Sequence, residues 1–420
     1  MDIHFHKSKI NENATVILPS SKSLSHRALI TAALADGIST VRGISQSKDT
    51  IATMSVLSHL GVRFDVEEKK VIVHGCGGKL KYDKEILDCN ESGSTLRFLI
   101  PFATLLDEEV YFTGHGRLMD RPQSVYESLF QENHILFEKK DSILKVKGRL
   151  QGGEYTLKGD VSSQFITGLL FILPLCETDS VIHILPPFES ASYITLTIDA
   201  LQKAGIKVEQ NGLDFYISGN QKYHTIDCVV EGDDSQMAFF AELALTQKKP
   251  VHILNVNHES HQGDHVILDF VEKMGGEVTK IEDGYEINAD KISSTKMSLA
   301  DCPDLGPALF ALATQCEGTT IFENCERLRI KESDRIAVME EELHKLGCDI
   351  HSEGGTVIVK GPTQLKSGVV LQGHNDHRVV MSLSMLALLV DDVVIQGSEA
   401  IQKSYPNFFE DLKKMGANYD

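Results

Sequence analysis

Apolar residues along the 420-residue chain follow two alternating periods. Apolar positions spaced by three or four, as at Ile336, Met339, Leu343 and Leu346, predict amphipathic helices. Short apolar runs at 251–256 and 319–323 predict strands, and alternating runs at 277–288 and 349–359 predict hairpins. Other helical stretches, at 236–245 and 307–314, are rich in Ala and Leu. One phrase recurs: an amphipathic helix that closes on Leu-x-x-Gly or a near equivalent, then a strand. It stands at Ser58-His59-Leu60-Gly61, Leu201-Gln202-Lys203-Ala204-Gly205, Val271-Glu272-Lys273-Met274-Gly275, Leu343-His344-Lys345-Leu346-Gly347 and Leu412-Lys413-Lys414-Met415-Gly416. A degenerate copy, Leu129-Phe130-Gln131-Glu132-Asn133, has Asn in place of Gly. Both residues tolerate the left-handed conformation at a helix end. From 61 through 133, 205, 275, 347 to 416 the steps are 72, 72, 70, 72 and 69 residues. Each period carries the same elements, which predicts six β-α-β-α-β-β repeats. Units of this size suit two domains of three repeats better than a solenoid, whose repeats run to about 20–50 residues. The turn and helix-start signal at Glu231-Gly232-Asp233-Asp234 sets the break between repeats three and four. The first domain is then 20–231. The second is 1–19 with 232–420, and includes an N-terminal strand over 2–10.

Composition narrows the function classes. Forty-one basic against sixty acidic side chains leave a net charge of −19, which argues against binding to nucleic acid or a membrane surface. A site for an anion on this chain must gather its cations locally. The eight cysteines, at 76, 89, 176, 228, 302, 316, 325 and 348, form no Cys-x-x-Cys pair, which predicts reduced thiols in a cytoplasmic protein. Met1-Asp2-Ile3-His4-Phe5-His6-Lys7 has no apolar signal region. The longest apolar runs, 165–176 and 379–390, are too short to cross a bilayer and predict buried helices.

Aligning the repeats gathers the chemistry at helix starts. Pro19-Ser20-Ser21-Lys22-Ser23-Leu24-Ser25-His26-Arg27 precedes an apolar helical run, so serine caps, free backbone N–H groups and two cations form an anion site. Equivalent first-helix starts are 92–97, 162–164, 233–236, 302–306 and 375–378. Second-helix starts are expected at 46–49, 117–121, 190–193, 262–264, 331–335 and 403–405. In parallel-packed repeats these ends share one side of a domain, and two domains facing each other would line a cleft for a ligand carrying phosphate and carboxylate. Acids sit among the cations: Asp304, Glu332, Asp334 and Asp376. Capping explains Asp334 and Asp376, whereas Glu332, between Lys331 and Arg335, is placed for proton transfer. Gly75-Cys76-Gly77-Gly78 and Gly114-His115-Gly116 lack the dinucleotide spacing. His258, His261 and His265 suggest a metal less well than Gln262-Gly263-Asp264 suggests a helix start.

Seven motifs in order then carry a resemblance, from about Ile17 to Pro406: Ser21-Lys22-Ser23-x-Ser25-x-Arg27, Arg121-Pro122, Val161-Ser162-Ser163-Gln164-Phe165, Glu231-Gly232-Asp233, Gln262-Gly263-Asp264, Lys331-Glu332-Ser333-Asp334-Arg335 and Asn375-Asp376-His377-Arg378. The chain resembles the 5-enolpyruvylshikimate-3-phosphate synthase family. The resemblance implies an α/β fold, a two-domain inside-out α/β barrel with three repeats per domain and the active site in the interdomain cleft. It implies transfer of the enolpyruvyl group of phosphoenolpyruvate to the 5-hydroxyl of shikimate 3-phosphate in aromatic amino acid biosynthesis. It implies a monomer and a reaction without metal or redox cofactor. By the same resemblance Lys22, Ser23, Arg27, Ser162, Ser163, Gln164, Ser190, Tyr193, Asp304 and Lys331 hold shikimate 3-phosphate. Lys22, Gly93, Arg121, Gln164, Arg335, Arg378 and Lys403 hold phosphoenolpyruvate, while Asp304, Glu332 and Lys22 are catalytic. Ser20, Glu91-Ser92-Gly93-Ser94 and Arg327 depart from the family pattern. The related UDP-N-acetylglucosamine enolpyruvyl transferase is an alternative, but its loop cysteine has no counterpart in 114–121. A non-catalytic sensor of phosphorylated ligands would need neither Asp304 nor Glu332.

Overall fold

A computed structural model describes residues 1–420. The chain divides into two compact units, Ser20–Glu231 and a second made of Met1–Pro19 with Gly232–Asp420. Each unit contains three four-stranded sheets. One plan serves all six. In four of them a helix spans the parallel pair, in the other two that pair joins distant segments, and in all six a hairpin or its equivalent adds antiparallel to one member, as in Glu154–Lys158, Ser180–Leu185, Asp214–Ile217 and Val208–Asn211. Where both parallel strands are close in sequence they need such a crossover, which the helix between them supplies.

The first helix of each repeat is buried nearly all round. Ser163–Ile172 exposes almost nothing after Gln164, and Asp234–Gln247 and His377–Ala387 are similarly enclosed. Strands alternate instead, as Ala14–Ile17 and Glu154–Lys158 do, with one face on the core. Within each unit the apolar helices therefore lie inside and the sheets outside, around one continuous apolar core per unit. No helix is long and apolar enough to cross a membrane, and all eight cysteines are free thiols.

Both units close on themselves through strands borrowed from a distance. Asp227–Val229, at the end of repeat three, pairs parallel with Ile38–Arg42 of repeat one. The expected N-terminal strand over 2–10 is instead two strands. Ile3–His6 lies between Val393–Gln396 and Asn418–Tyr419, taking the place of an inner hairpin strand in the sixth sheet. Ala14–Ile17 pairs parallel with Val251–Leu254 in the fourth. Left-handed Asn13 makes the turn between them.

Gly61, Gly205, Gly275, Gly347 and Gly416 all take positive φ, as their place after a helix requires. The degenerate copy is displaced by one residue: Asn133 is the right-handed C-cap, its side-chain amide bonded to the Leu129 carbonyl, and His134 takes the left-handed position. Two second-helix starts also fall later than the aligned pattern placed them. A 3-10 turn spans Leu118–Asp120 and the helix begins at Ser124; a second such turn spans Ser398–Lys403 and its helix begins at Phe408. Pro122 and Pro406 explain both, because the residue before proline is steered out of the helical region, and Arg121 is extended. The start at 262–264 is likewise a 3-10 turn, Gly263–Val266, that runs on into Ile267–Lys273.

Candidate active site

In the unit Ser20–Glu231 the helix starts are locked together by side-chain hydrogen bonds. Ser21 caps the helix Lys22–Leu34 by accepting from the Leu24 N–H. Lys22, the first residue of that helix, reaches Asp49 Oδ2 at 2.9 Å. One turn on, Arg27 is 2% exposed and donates through three nitrogens: Nε to Thr197 Oγ1 at 2.9 Å, Nη1 to the Ser23 carbonyl at 2.8 Å and Nη2 to the Tyr193 carbonyl at 2.8 Å. None of these acceptors is a carboxylate, so burial lowers its pKa to about 10, still far above neutrality. Thr197 also meets Thr167 at 2.9 Å, and Thr167 shares a helix with Gln164. Gln164 donates to Ser94 Oγ at 3.0 Å and accepts from Arg97 Nη1 at 2.9 Å. Thr95 meets Thr53 at 2.6 Å, and Thr53 meets His26 Nδ1 at 2.7 Å, which returns to the first helix. Five helices are thus joined in a closed ring.

Ser162 caps its helix by accepting from the Gln164 N–H, and Ser163 is buried beside it. Ser190 is buried and left-handed at the head of Ala191–Lys203, its carbonyl accepting from the Tyr193 N–H. Arg121 packs over Gly93: a Cβ there would stand 2.7 Å from Nη1. The glycine therefore makes room first for a guanidinium of this chain.

The other unit builds its cluster on carboxylates. Asp304 Oδ1 receives Lys331 Nζ at 3.1 Å and Arg335 Nη1 at 2.9 Å; its Oδ2 receives Arg378 Nη2 at 3.2 Å. Glu332 Oε2 takes Arg335 Nη2 at 2.7 Å, and Asp376 Oδ2 takes Arg335 Nε at 2.9 Å and Ser333 Oγ at 2.9 Å. Arg335 is 1% exposed; burial disfavours its charge, but Asp376, Glu332 and Asp304 together raise its pKa. Burial is the largest influence on the Asp376 carboxyl and pushes it up, but the charge and hydrogen bond of Arg335, with His377, together hold it below the usual range. Lys331 goes the other way: desolvation outweighs Asp304 and lowers its pKa to about 8. Lys403 Nζ donates to the Asn375 carbonyl at 2.5 Å, one residue before Asp376.

Asp304, Lys331, Glu332, Arg335 and Arg378 are therefore one connected cluster, with Lys403 at its edge. Asp334 caps Arg335–Lys345, as the helix-start pattern suggested. Asp376 caps too, accepting from the Arg378 N–H, but is also a principal partner of Arg335. Asp49, Arg97, Thr53, Thr95, Thr167 and Thr197 complete the first unit's array. Asp49 stood within a predicted helix start, and Thr95 and Arg97 within another; nothing in the spacing of Thr53, Thr167 and Thr197 marks them.

The family model for EPSP synthase (3-phosphoshikimate 1-carboxyvinyltransferase) matches residues 8–412. A 3-phosphoshikimate 1-carboxyvinyltransferase of Clostridium kluyveri is 40% identical over 409 residues, covering 96% of this chain and 95% of the relative. One from Clostridium novyi is 41% identical over 421 residues, covering 97% and 96%. Among solved structures, an EPSP synthase from Acinetobacter baumannii superposes with a TM-score of 0.82 at 24% identity, covering 100% of this chain and 99% of that one. The enolpyruvyl transferase NikO from Streptomyces tendae gives 0.81 at 15% identity, covering 100% and 98%. These two likenesses speak for the fold.

Proposed function

The chain belongs to the EPSP synthase family, and on that premise we propose that it is a transferase moving the enolpyruvyl group of phosphoenolpyruvate to the 5-hydroxyl of shikimate 3-phosphate, with release of phosphate. The hydroxyl oxygen adds to C2 of phosphoenolpyruvate as the methylene carbon takes a proton. The tetrahedral adduct then loses phosphate and a proton from the methyl group, which restores the double bond. Lys22, Ser23, Arg27, Ser162, Ser163, Gln164, Ser190, Tyr193, Asp304 and Lys331 bind shikimate 3-phosphate. Lys22, Gly93, Arg121, Gln164, Arg335, Arg378 and Lys403 bind phosphoenolpyruvate.

The observation that carries this reading is the convergence of Lys331, Arg335 and Arg378 on Asp304. Three cations fix its position. A substrate carboxylate or phosphate that engages those guanidiniums competes with Asp304 for them. Asp304, partly released as the substrates arrive, accepts the hydroxyl proton while that oxygen bonds to C2. Glu332, gripped by Arg335, and Lys22, held by Asp49, serve the methylene proton and the departing phosphate. Fixed cations stabilise the charge that gathers on that phosphate.

Phosphate release from phosphoenolpyruvate with shikimate 3-phosphate, and with UDP-N-acetylglucosamine in parallel, tests the proposal. Release with shikimate 3-phosphate alone is expected. Release only with the nucleotide sugar would reassign the acceptor, and binding without release would leave a sensor. We read the protein as a cytoplasmic monomer, in keeping with its eight free thiols; sedimentation velocity tests its mass in solution.

A further inference from the structure

The N-terminal motif His4-Phe5-His6 has no part in the transferase chemistry. On the strand Ile3–His6 the side chains alternate: Ile3 and Phe5 are buried, so His4 and His6 share the outer face, with ring centroids 4.6 Å apart. Asp420, beyond the neighbouring strand Asn418–Tyr419, brings one oxygen to both. Its Oδ1 lies 3.6 Å from His4 Nδ1 and 3.3 Å from His6 Nε2. On the far side of the same imidazole, His4 Nε2 lies 2.9 Å from Asp392 Oδ1. An ionised carboxylate only accepts, so Nε2 carries the proton that Asp392 receives. The other ring nitrogen, Nδ1, stands 3.6 Å from a second acceptor, Asp420 Oδ1. A cation between Nδ1 and Asp420 Oδ1, a proton or a metal ion, satisfies both atoms at once. Neither aspartate pairs with a lysine or arginine; their salt-bridge partners are these histidines.

We propose that His4 Nδ1, His6 Nε2 and Asp420 Oδ1 form a binding site for a divalent transition-metal ion of the zinc class. Two imidazoles and a carboxylate are a donor set for Zn²⁺, Ni²⁺ or Cu²⁺, not for Mg²⁺ or Ca²⁺. Bonds of about 2.0–2.1 Å in a tetrahedron set donors about 3.3 Å apart, close to the two carboxylate–imidazole spacings found here, and all three donor atoms lie within 4.8 Å of one another. Water completes the coordination. Asp392 holds the His4 tautomer from behind, as outer carboxylates do for ligating histidines. The ion ties the strand Ile3–His6 to the end of the chain next to Asn418–Tyr419. The other compact group of metal-ligating side chains, Glu341, Glu342 and His374, already holds a cation: Lys345 Nζ lies 3.2 Å from Glu341 and 2.7 Å from Glu342.

The test is calorimetric titration of tag-free, metal-stripped protein with Zn²⁺, followed by Co²⁺ titration read by visible absorption. One saturable ion per chain is expected, with the intense d–d bands of tetrahedral cobalt, indifferent to excess Mg²⁺. His6→Gln and Asp420→Asn should each weaken binding at least about tenfold, and Asp392→Asn by about 10–100-fold. All these side chains are partly or largely exposed, so the variants should fold. Amide exchange at 3–6 and 418–419 should slow when Zn²⁺ is added. No saturable binding below about 1 mM, or binding that His4→Gln and His6→Gln leave unchanged, would overturn the site; the second result would locate the ion elsewhere on the chain.

Discussion

Two buried arginines, one in each unit, show two ways of holding a cation. Arg27 is braced by a hydroxyl and two backbone carbonyls. Arg335 is gripped by Asp304, Glu332 and Asp376. Neutral acceptors fix the geometry of Arg27 and leave its charge uncancelled, so it still attracts an anion. Around Arg335 the formal charges cancel, three carboxylates against Lys331, Arg335 and Arg378. That cluster gains a set of carboxylates held in place by cations that a substrate anion can also claim. Neutral bracing suits recognition of a phosphorylated substrate, and balanced pairing suits proton transfer.

The sharpest break in this contrast is to remove each guanidinium. Arg335→Met strands Asp376, which is wholly buried, and should cost about 3–5 kcal/mol in chemical denaturation. Arg27→Met strands only neutral acceptors and should cost about 1–3 kcal/mol. Equal losses would show that the carboxylates around Arg335 contribute no special energetics. Next in size, Asp304→Asn should fold yet turn over about 10²-fold more slowly or worse, measured by phosphate release. Near-normal turnover would remove Asp304 from the proton path.

Lys331 sharpens the comparison through pH. With a folded pKa of about 8 against an ordinary 10.5, it carries charge at pH 7 and has largely lost it by pH 9. Affinity for shikimate 3-phosphate should therefore fall about tenfold from pH 7 to 9, an effect that Lys331→Met abolishes. The stability trend has the opposite sign. Between pH 8 and 10.5 the unfolded chain binds a proton that the folded chain has released, so this residue's contribution to stability rises with pH in that window. Affinity independent of pH in the wild type would exclude Lys331 from the phosphate site. The smallest change is Gly93→Ala. The new Cβ displaces the mobile end of Arg121, so stability should hold while KM for phosphoenolpyruvate rises about fivefold. A rise in KM for shikimate 3-phosphate instead would reassign Arg121.

The sequence by itself determined the repeat, the buried and half-buried elements and the helix starts, because these rest on local periodicity and capping. Ser21, Ser92, Ser162 and Asp233 each cap the helix that their position announces. Local chemistry has a range of a few residues, and prolines at 122 and 406 moved two helix starts within that range. Tertiary structure alone decided which cation meets which partner. Arg27 finds Thr197 across 170 residues, Arg335 finds Asp376 across 41, and Lys22 finds Asp49 across 27. Asp376 has the composition of a cap and does cap; it becomes a partner of Arg335 only because two helix starts pack together. The four threonines of the ring look like ordinary helical residues for the same reason. A hydroxyl in a helix carries no sign of its partner until packing removes water from it, and then its hydrogen bond must be made within the protein.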